Sequence, residues 1–268
     1  MLTIPNSIDR ALFSLRTRFA STLSTPVGFR LMDKRRDDQF IAAFPRSGST
    51  WLRTMVANII DPSARSDPAI FNRLIPSTSI RNTPRVRSRP SPRIVMTHSV
   101  WRRSIPRAVY LVRDGRDVLV SFYYYTIVRA GRAESFADFY AMYSAGVFGP
   151  RWDRHVASWF GRARRKLGSD LLTIRFEELK KSPEEVLDDV VGFLGLDTSA
   201  ELRARAVEDA SLENERQIES QRHGPVSGGK SFYRGGRVGD WQTFVPPHLL
   251  EHFLSHGAAK ALRQVGYA

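Results

Sequence analysis

The sequence predicts an α/β fold, three αβα layers around a central parallel sheet, and two observations carry that prediction. A short apolar run from Phe40 to Phe44 stops at Pro45 and passes through Arg46, Ser47, Gly48, Ser49 and Thr50. It then resumes at helical spacing through Leu52, Met55, Val56, Ile59 and Ile60. Two further apolar runs, 93–98 and 107–113, also alternate with helical segments and end in polar residues. Strands arranged in this way lie parallel and place a ligand at their carboxyl ends, where Arg46, His98 and Arg113 all fall.

Taken in order, residues 1–38 read as an N-terminal amphipathic helix and a charged linker, and residues 39–268 as a single α/β domain. Ile8, Leu12, Leu15, Phe19 and Leu23 recur at helical spacing, so residues 7–23 suit peripheral membrane contact or packing on the chain's own domain. After the first strand, the small-residue loop opens a helix whose first N–H groups and positive dipole end face an anion. Arg46 adds a full charge there, and Ser47, Ser49 and Thr50 add hydroxyls, so the loop is a cradle for a phosphate or similar tetrahedral oxyanion. With a single glycine and no lysine it is not a Walker A loop.

Residues 61–92, rich in proline and arginine, read as a surface excursion between strands of one sheet. The strand 93–98 ends at His98. The strand 107–113 runs into Asp114-Gly115-Arg116-Asp117, where Asp114 or Gly115 caps a helix through Val118, Leu119, Phe122 and Tyr123. Helices follow at 135–142, 151–167, 182–194 and 199–210, with a strand at 171–176 between the second and third. Residues 214–239, rich in Gly, Ser and Arg, read as a mobile loop, and a helix over 246–264 closes the order.

Composition narrows the function classes. Against 27 acidic residues stand 41 basic ones, a net charge of +14 that attracts polyanions without choosing among nucleic acid, anionic lipid, nucleotide cofactors and acidic glycans. No helix-turn-helix, RNP-like or zinc motif supports specific nucleic-acid binding. The absence of cysteine removes disulfides, thiolate metal sites and a cysteine nucleophile. No apolar run is long enough for an ordinary transmembrane helix and no signal-peptide pattern is present, so the expected location is cytoplasmic.

Three separated motifs agree in a resemblance. Residues Phe44-Pro45-Arg46-Ser47-Gly48-Ser49-Thr50-Trp51, the run from Tyr110 to Ser121 with Arg113 and Ser121 eight apart, and Phe232-Tyr233-Arg234-Gly235-Gly236-Arg237-Val238-Gly239-Asp240-Trp241 occur in that order. Together they make the chain resemble the sulfotransferases that use 3′-phosphoadenosine 5′-phosphosulfate (PAPS), the cytosolic-type branch in particular. The likeness runs from about Gln39 to Gly266-Tyr267.

The resemblance implies a P-loop-like α/β fold and transfer of a sulfuryl group from PAPS to an acceptor hydroxyl, leaving 3′,5′-ADP. It implies that the N–H groups of Ser47, Gly48, Ser49 and Thr50, with Arg46, hold the 5′-phosphosulfate. Arg113, Ser121 and Arg234 would hold the 3′-phosphate, with Phe232, Gly235 and Gly236 in the same late element. Trp51 and Phe176 match positions that face the adenine, and His98 matches the base that takes the acceptor's proton. Read on residues alone, Trp51 and Phe176 serve equally as core and Ser121 as a helix-surface hydroxyl.

Departures accompany the likeness. Arg46 stands where the family usually has lysine, Met96 replaces a frequent lysine before Thr97-His98, and Gly235 replaces a lysine that commonly follows the arginine. No metal is implied. The acceptor is a small-molecule, lipid-linked or glycan hydroxyl, and the oligomeric state is open. Two alternatives stand beside this reading: a nucleotide-dependent kinase, for which Asp114 and Asp117 are the nearby carboxylates, and a PAPS-binding protein impaired by the changes at 96 and 235.

Overall fold

The structure, a computed structural model of the chain, describes residues 34–65, 67–79, 83–223 and 235–267. The expected helix over residues 7–23, Phe232 and Arg234 lie outside the described residues. Four strands form one sheet: β1 (Gln39–Ala43), β2 (Ile94–Thr97), β3 (Arg107–Val112) and β4 (Leu171–Arg175), in the order β2-β1-β3-β4. Every pairing is parallel, with Phe40 opposite both Val95 and Ala108.

The strands are apolar at nearly every position because both faces are covered. Phe40, Ala42, Phe44, Val95, Ala108, Tyr110 and Val112 share one core, whereas Ile41, Ala43, Met96, Val109, Leu111 and Ile174 share the other. The second face is covered by α1 (Ser49–Ile60) and α2 (Pro68–Leu74), together with helices later in the chain. After α3 (Thr83–Ser88) come the helices of the first face, α4 (Gly115–Tyr123), α5 (Phe136–Ser144) and the continuous α6 over 152–167. Then follow α7 (Phe176–Lys181), α8 (Pro183–Leu194), α9 (Ala200–Asp209) and α10 (Leu212–His223), of which α7 to α9 return to the second face.

This order sets the place for a ligand. The chain leaves β1 toward β2 on one side, and leaves β3 toward β4 on the other. Between the carboxyl ends of β1 and β3 the connections diverge, which opens a crevice there. The loops carrying Arg46 and Arg113 flank it.

Four expectations are corrected. Residues 61–92 are not a plain surface excursion: α2 and α3 lie in them, Phe71, Leu74, Ile75 and Val86 are buried, and Met96 exchanges backbone hydrogen bonds with Pro76 and Thr78 along the edge of β2. Pro68 starts α2 rather than breaking it, because a first-turn proline sacrifices no helical bond, and Asp67 caps it. Phe176 opens α7 instead of ending β4. Residues 212–223 form α10, since Glu, Arg and Gln favour helix and the glycines all lie beyond it. The closing helix is two: α11 (Pro247–Phe253) and α12 (Ala259–Val265), separated where Gly257 adopts φ 106°. A four-residue turn of helix, Trp241–Phe244, precedes them.

The charged run 34–38 is packed at its far end. Asp38 and Arg93, both fully buried, pair at 2.6 Å, and Arg35 donates to the carbonyls of Arg87 and Arg89. A buried pair of this kind is costly to break from one side.

Candidate functional site: an anion cradle and a half-buried histidine

The loop from β1 to α1 is built to meet an anion with its backbone. Arg46 takes φ 70°, unusual for a side-chain-bearing residue, and Gly48 takes φ 95°. Left-handed residues set among right-handed ones turn successive N–H groups inward as a nest. A Cβ on Gly48 would stand 2.5 Å from the Phe176 ring, so only glycine fits. The first turn of α1 has no side-chain cap and no acidic residue, which leaves its N–H groups and positive end for an external anion. Ser47 N–H is spent on a turn to the Phe44 carbonyl at 3.2 Å. Its hydroxyl, fully buried, has no partner among the described residues, an arrangement that a ligand oxygen would relieve.

Arg46 and Arg113 reach the crevice from its two sides. The Arg46 guanidinium lies 4.7 Å from the Tyr125 ring centre, and its Nε donates to Ser121 Oγ at 3.3 Å. Ser121, expected with Arg113, is thus joined to the first loop. Arg113 is buried over the Phe176 ring at 4.4 Å and donates to the carbonyls of Arg46 and Arg237, at 3.3 and 2.8 Å. It therefore ties the first loop to the glycine-rich segment. Trp51 meets Phe176 edge to face at 6.2 Å, and Gly236 closes on the same ring, its missing Cβ 3.2 Å from it.

His98 stands at the end of β2, half-buried, with Nδ1 2.8 Å from the carbonyl of Ala43, the last residue of β1. A carbonyl only accepts, so Nδ1 carries the proton and Nε2 keeps its lone pair. Burial above all pushes its pKa down, to about 4; the Ala43 carbonyl opposes this, and the fields of Arg53 and Arg46 add to it. The imidazole is neutral at physiological pH. Behind it Thr97 Oγ1 lies 3.0 Å from Thr78 Oγ1 and 2.9 Å from Ser99 Oγ, a buried hydroxyl chain that fixes the end of the strand.

Several residues escaped the sequence reading. Asp117 accepts from the N–H groups of Gly239 and Trp241, at 2.8 and 3.1 Å, and so moors the glycine-rich segment. Asp114, one of the two caps expected for this helix, does cap α4, and it also pairs with Arg116 at 2.7 Å. Both carboxylates a kinase would need for a metal are thereby engaged. Tyr267 hydrogen-bonds Glu177, which in turn accepts from Asp114 N–H, bracing the loops after β3 and β4. Arg53 lies within a larger apolar pattern and gave no separate signal.

Comparison with known proteins agrees with this geometry. The sulfotransferase domain family model matches residues 36–264. Mouse sulfotransferase 1E1 is 29% identical over 248 residues, covering 83% of this chain and 82% of its own length. Cytosolic sulfotransferase 5 of Arabidopsis thaliana is 28% identical over 264 residues, with coverages of 85% and 81%. In fold the chain resembles mouse sulfotransferase SULT7A1 complexed with PAP, with a TM-score of 0.68 at 23% identity over 92% of this chain and 96% of the other.

Proposed function

The chain belongs to the sulfotransferase domain family and is by that membership a PAPS-dependent sulfotransferase, and we propose that it sulfates an acceptor hydroxyl with His98 as general base. The observation that carries the proposal is the fixed tautomer of His98, whose Nδ1–H is held by the Ala43 carbonyl at the strand end, so that Nε2 carries no proton. The residues present fit the donor: an uncapped helix start, an orphaned Ser47 hydroxyl, a buried Arg113 and the aromatic pair Trp51 and Phe176. When bound, PAPS supplies the sulfuryl group and a phosphate leaving group.

The chain's own residues do the rest. The N–H groups at the start of α1, with Arg46, hold the 5′ end and neutralise charge on the departing phosphate. Arg113 holds the 3′-phosphate, joined in this reading by Ser121 and Arg234, while Trp51 and Phe176 flank the base. His98 Nε2 accepts the acceptor's hydroxyl proton as that oxygen attacks sulfur in line with the leaving oxygen. A pKa near 4 makes His98 a weak base at rest. The negative charge of the donor offsets the fields of Arg53 and Arg46, raising its basicity when the donor is in place.

In this reading the acceptor is a hydroxyl-bearing small molecule, within a wider class that includes lipid-linked and glycan hydroxyls, and the location is cytoplasmic. Among the described residues no helix is long and apolar enough to cross a membrane. Calorimetry with 3′,5′-ADP, 5′-AMP and ATP-Mg²⁺ tests the donor assignment: the bisphosphate binds, and Arg113→Ala abolishes that binding. His98→Ala retains 3′,5′-ADP affinity and loses transfer from labelled PAPS by about 10²-fold or more. Preference for ATP-Mg²⁺, or transfer unchanged in His98→Ala, would overturn the reading.

A further inference from the structure

Arg53 is the least explained charge in the core. It sits on α1, only 8% exposed, and its guanidinium lies 4.6 Å from the Phe71 ring centre. One N–H reaches Asn72 Oδ1 at 2.6 Å, whereas Nε, also buried, reaches no acceptor among the described residues. No carboxylate among the described residues lies within ion-pairing distance of it. Burying a cation with so little compensation is unfavourable unless an anion completes the site. Packing alone does not call for the charge, because Leu52, Met55 and Phe71 fill the same face with apolar side chains.

Its position points to one anion. Residues four apart share a helix face, so Arg53 lies on the face of α1 that carries Ser49, one turn on, with its guanidinium between that helix and α2. The turn at Ser49 is the edge of the anion cradle. Arg53 also acts on His98, where its field is felt alongside that of Arg46. Two guanidinium fields thus act on His98, the base of the proposed transfer. Met96, which replaces the frequent family lysine, packs into the same core face as Leu52, Met55 and Phe71. The strand therefore offers no cation, and the neighbouring helix does.

We propose that Arg53 is a donor-binding catalytic residue of this chain, its guanidinium facing the sulfuryl end of PAPS and supplying from α1 the positive charge that position 96 of β2 lacks. This inference rests on the donor reading above and concerns the sulfuryl end alone. The 3′-phosphate and the adenine are held elsewhere, so the contribution of Arg53 separates from theirs in a comparison of two nucleotides.

The test is calorimetry with PAPS and 3′,5′-ADP on the wild type, Arg53→Met, Arg53→Lys and the double variant Arg53→Met/Met96→Lys, each checked for folding by its melting temperature. Loss of one charge-assisted contact weakens PAPS binding by roughly tenfold in Arg53→Met and leaves 3′,5′-ADP within about twofold of wild type. Arg53→Lys keeps most of the preference, and Met96→Lys restores it in the Arg53→Met background. Equal weakening of both nucleotides, unchanged binding of both, or an Arg53→Lys as impaired as Arg53→Met overturns the inference while leaving the donor reading intact. If the wild type binds neither nucleotide, the donor reading falls first and the inference falls with it.

Discussion

Two strand-to-helix loops meet across the crevice, and they solve opposite problems. The loop after β1 leaves its helix start open, with no cap, no acidic residue in the first turn and an orphaned hydroxyl. The loop after β3 closes its own: Asp114 accepts from the Arg116 N–H, and Asp117 stands in the first turn of α4. The first therefore leaves backbone N–H groups open to an anion, whereas the second offers only the Arg113 side chain. Similar local sequences, strand then polar turn then helix, diverge because one carries carboxylates and the other carries hydroxyls.

The sharpest way to break the contrast is to give the first loop the second loop's chemistry. Thr50→Asp places a carboxylate in the first turn of α1, where it complements the helix dipole. The expected result is a melting temperature held or slightly raised, with 3′,5′-ADP affinity reduced by roughly 10²-fold or more through loss of the anion seat and added like-charge repulsion. Unchanged affinity would show that the helix start is not the seat.

A second difference concerns titration. Beside the first loop His98 is pushed down to about 4, while Asp117 in the second is raised, chiefly by burial. For His98 the unfolded chain takes up its proton near the ordinary value of about 6.5, and the folded chain only near 4. The protective effect is complete above that upper value and fades as pH falls across the window. Urea melts from pH 7 to pH 4.5 should show stability declining with acid, and His98→Gln should flatten the slope. Addition of 3′,5′-ADP should shift the window upward, because the bound anion stabilises the protonated ring.

The smallest effect belongs to the cap of the second loop. Asp114→Ala removes a side-chain cap at α4, a loss of about 1 kcal/mol, or a fall of about 2–4 °C in melting temperature for a chain of this size. Nucleotide affinity should change by less than the Thr50→Asp variant changes it, since no phosphate is seated on that helix start. Parallel losses in the two variants would erase the distinction between the loops.

The parts legible in the sequence were those where local pattern and tertiary role coincide. Phe40 to Ala43 and Val109 to Val112 read as strands because burial on both faces leaves continuous apolar runs. Arg46, His98 and Arg113 were placed together because strands that end in polar residues end at one edge of a parallel sheet. The segment around α2 was misread because proline reads as a breaker, whereas at the first turn it is a starter. Helix α10 was missed because polar residues surround it and no apolar stripe marks it. Arg53 carried no signal at all, since one arginine among Leu52, Thr54, Met55 and Val56 looks like the solvent side of a helix until the packing of Phe71 covers it.

The sheet order has a consequence for how this chain acquires its shape. Among the described residues no strand pairs through a hairpin; the pairings join residues as remote in sequence as Gln39 and Ile94, or Ala108 and Leu171. Closing loops of that size before any contact rewards them makes assembly slow. The loops bearing Arg46 and Arg113 become neighbours only once β1 and β3 have found their register. A nucleotide that needs both can therefore recognise only late, nearly native species, so it restrains unfolding and does little to speed refolding.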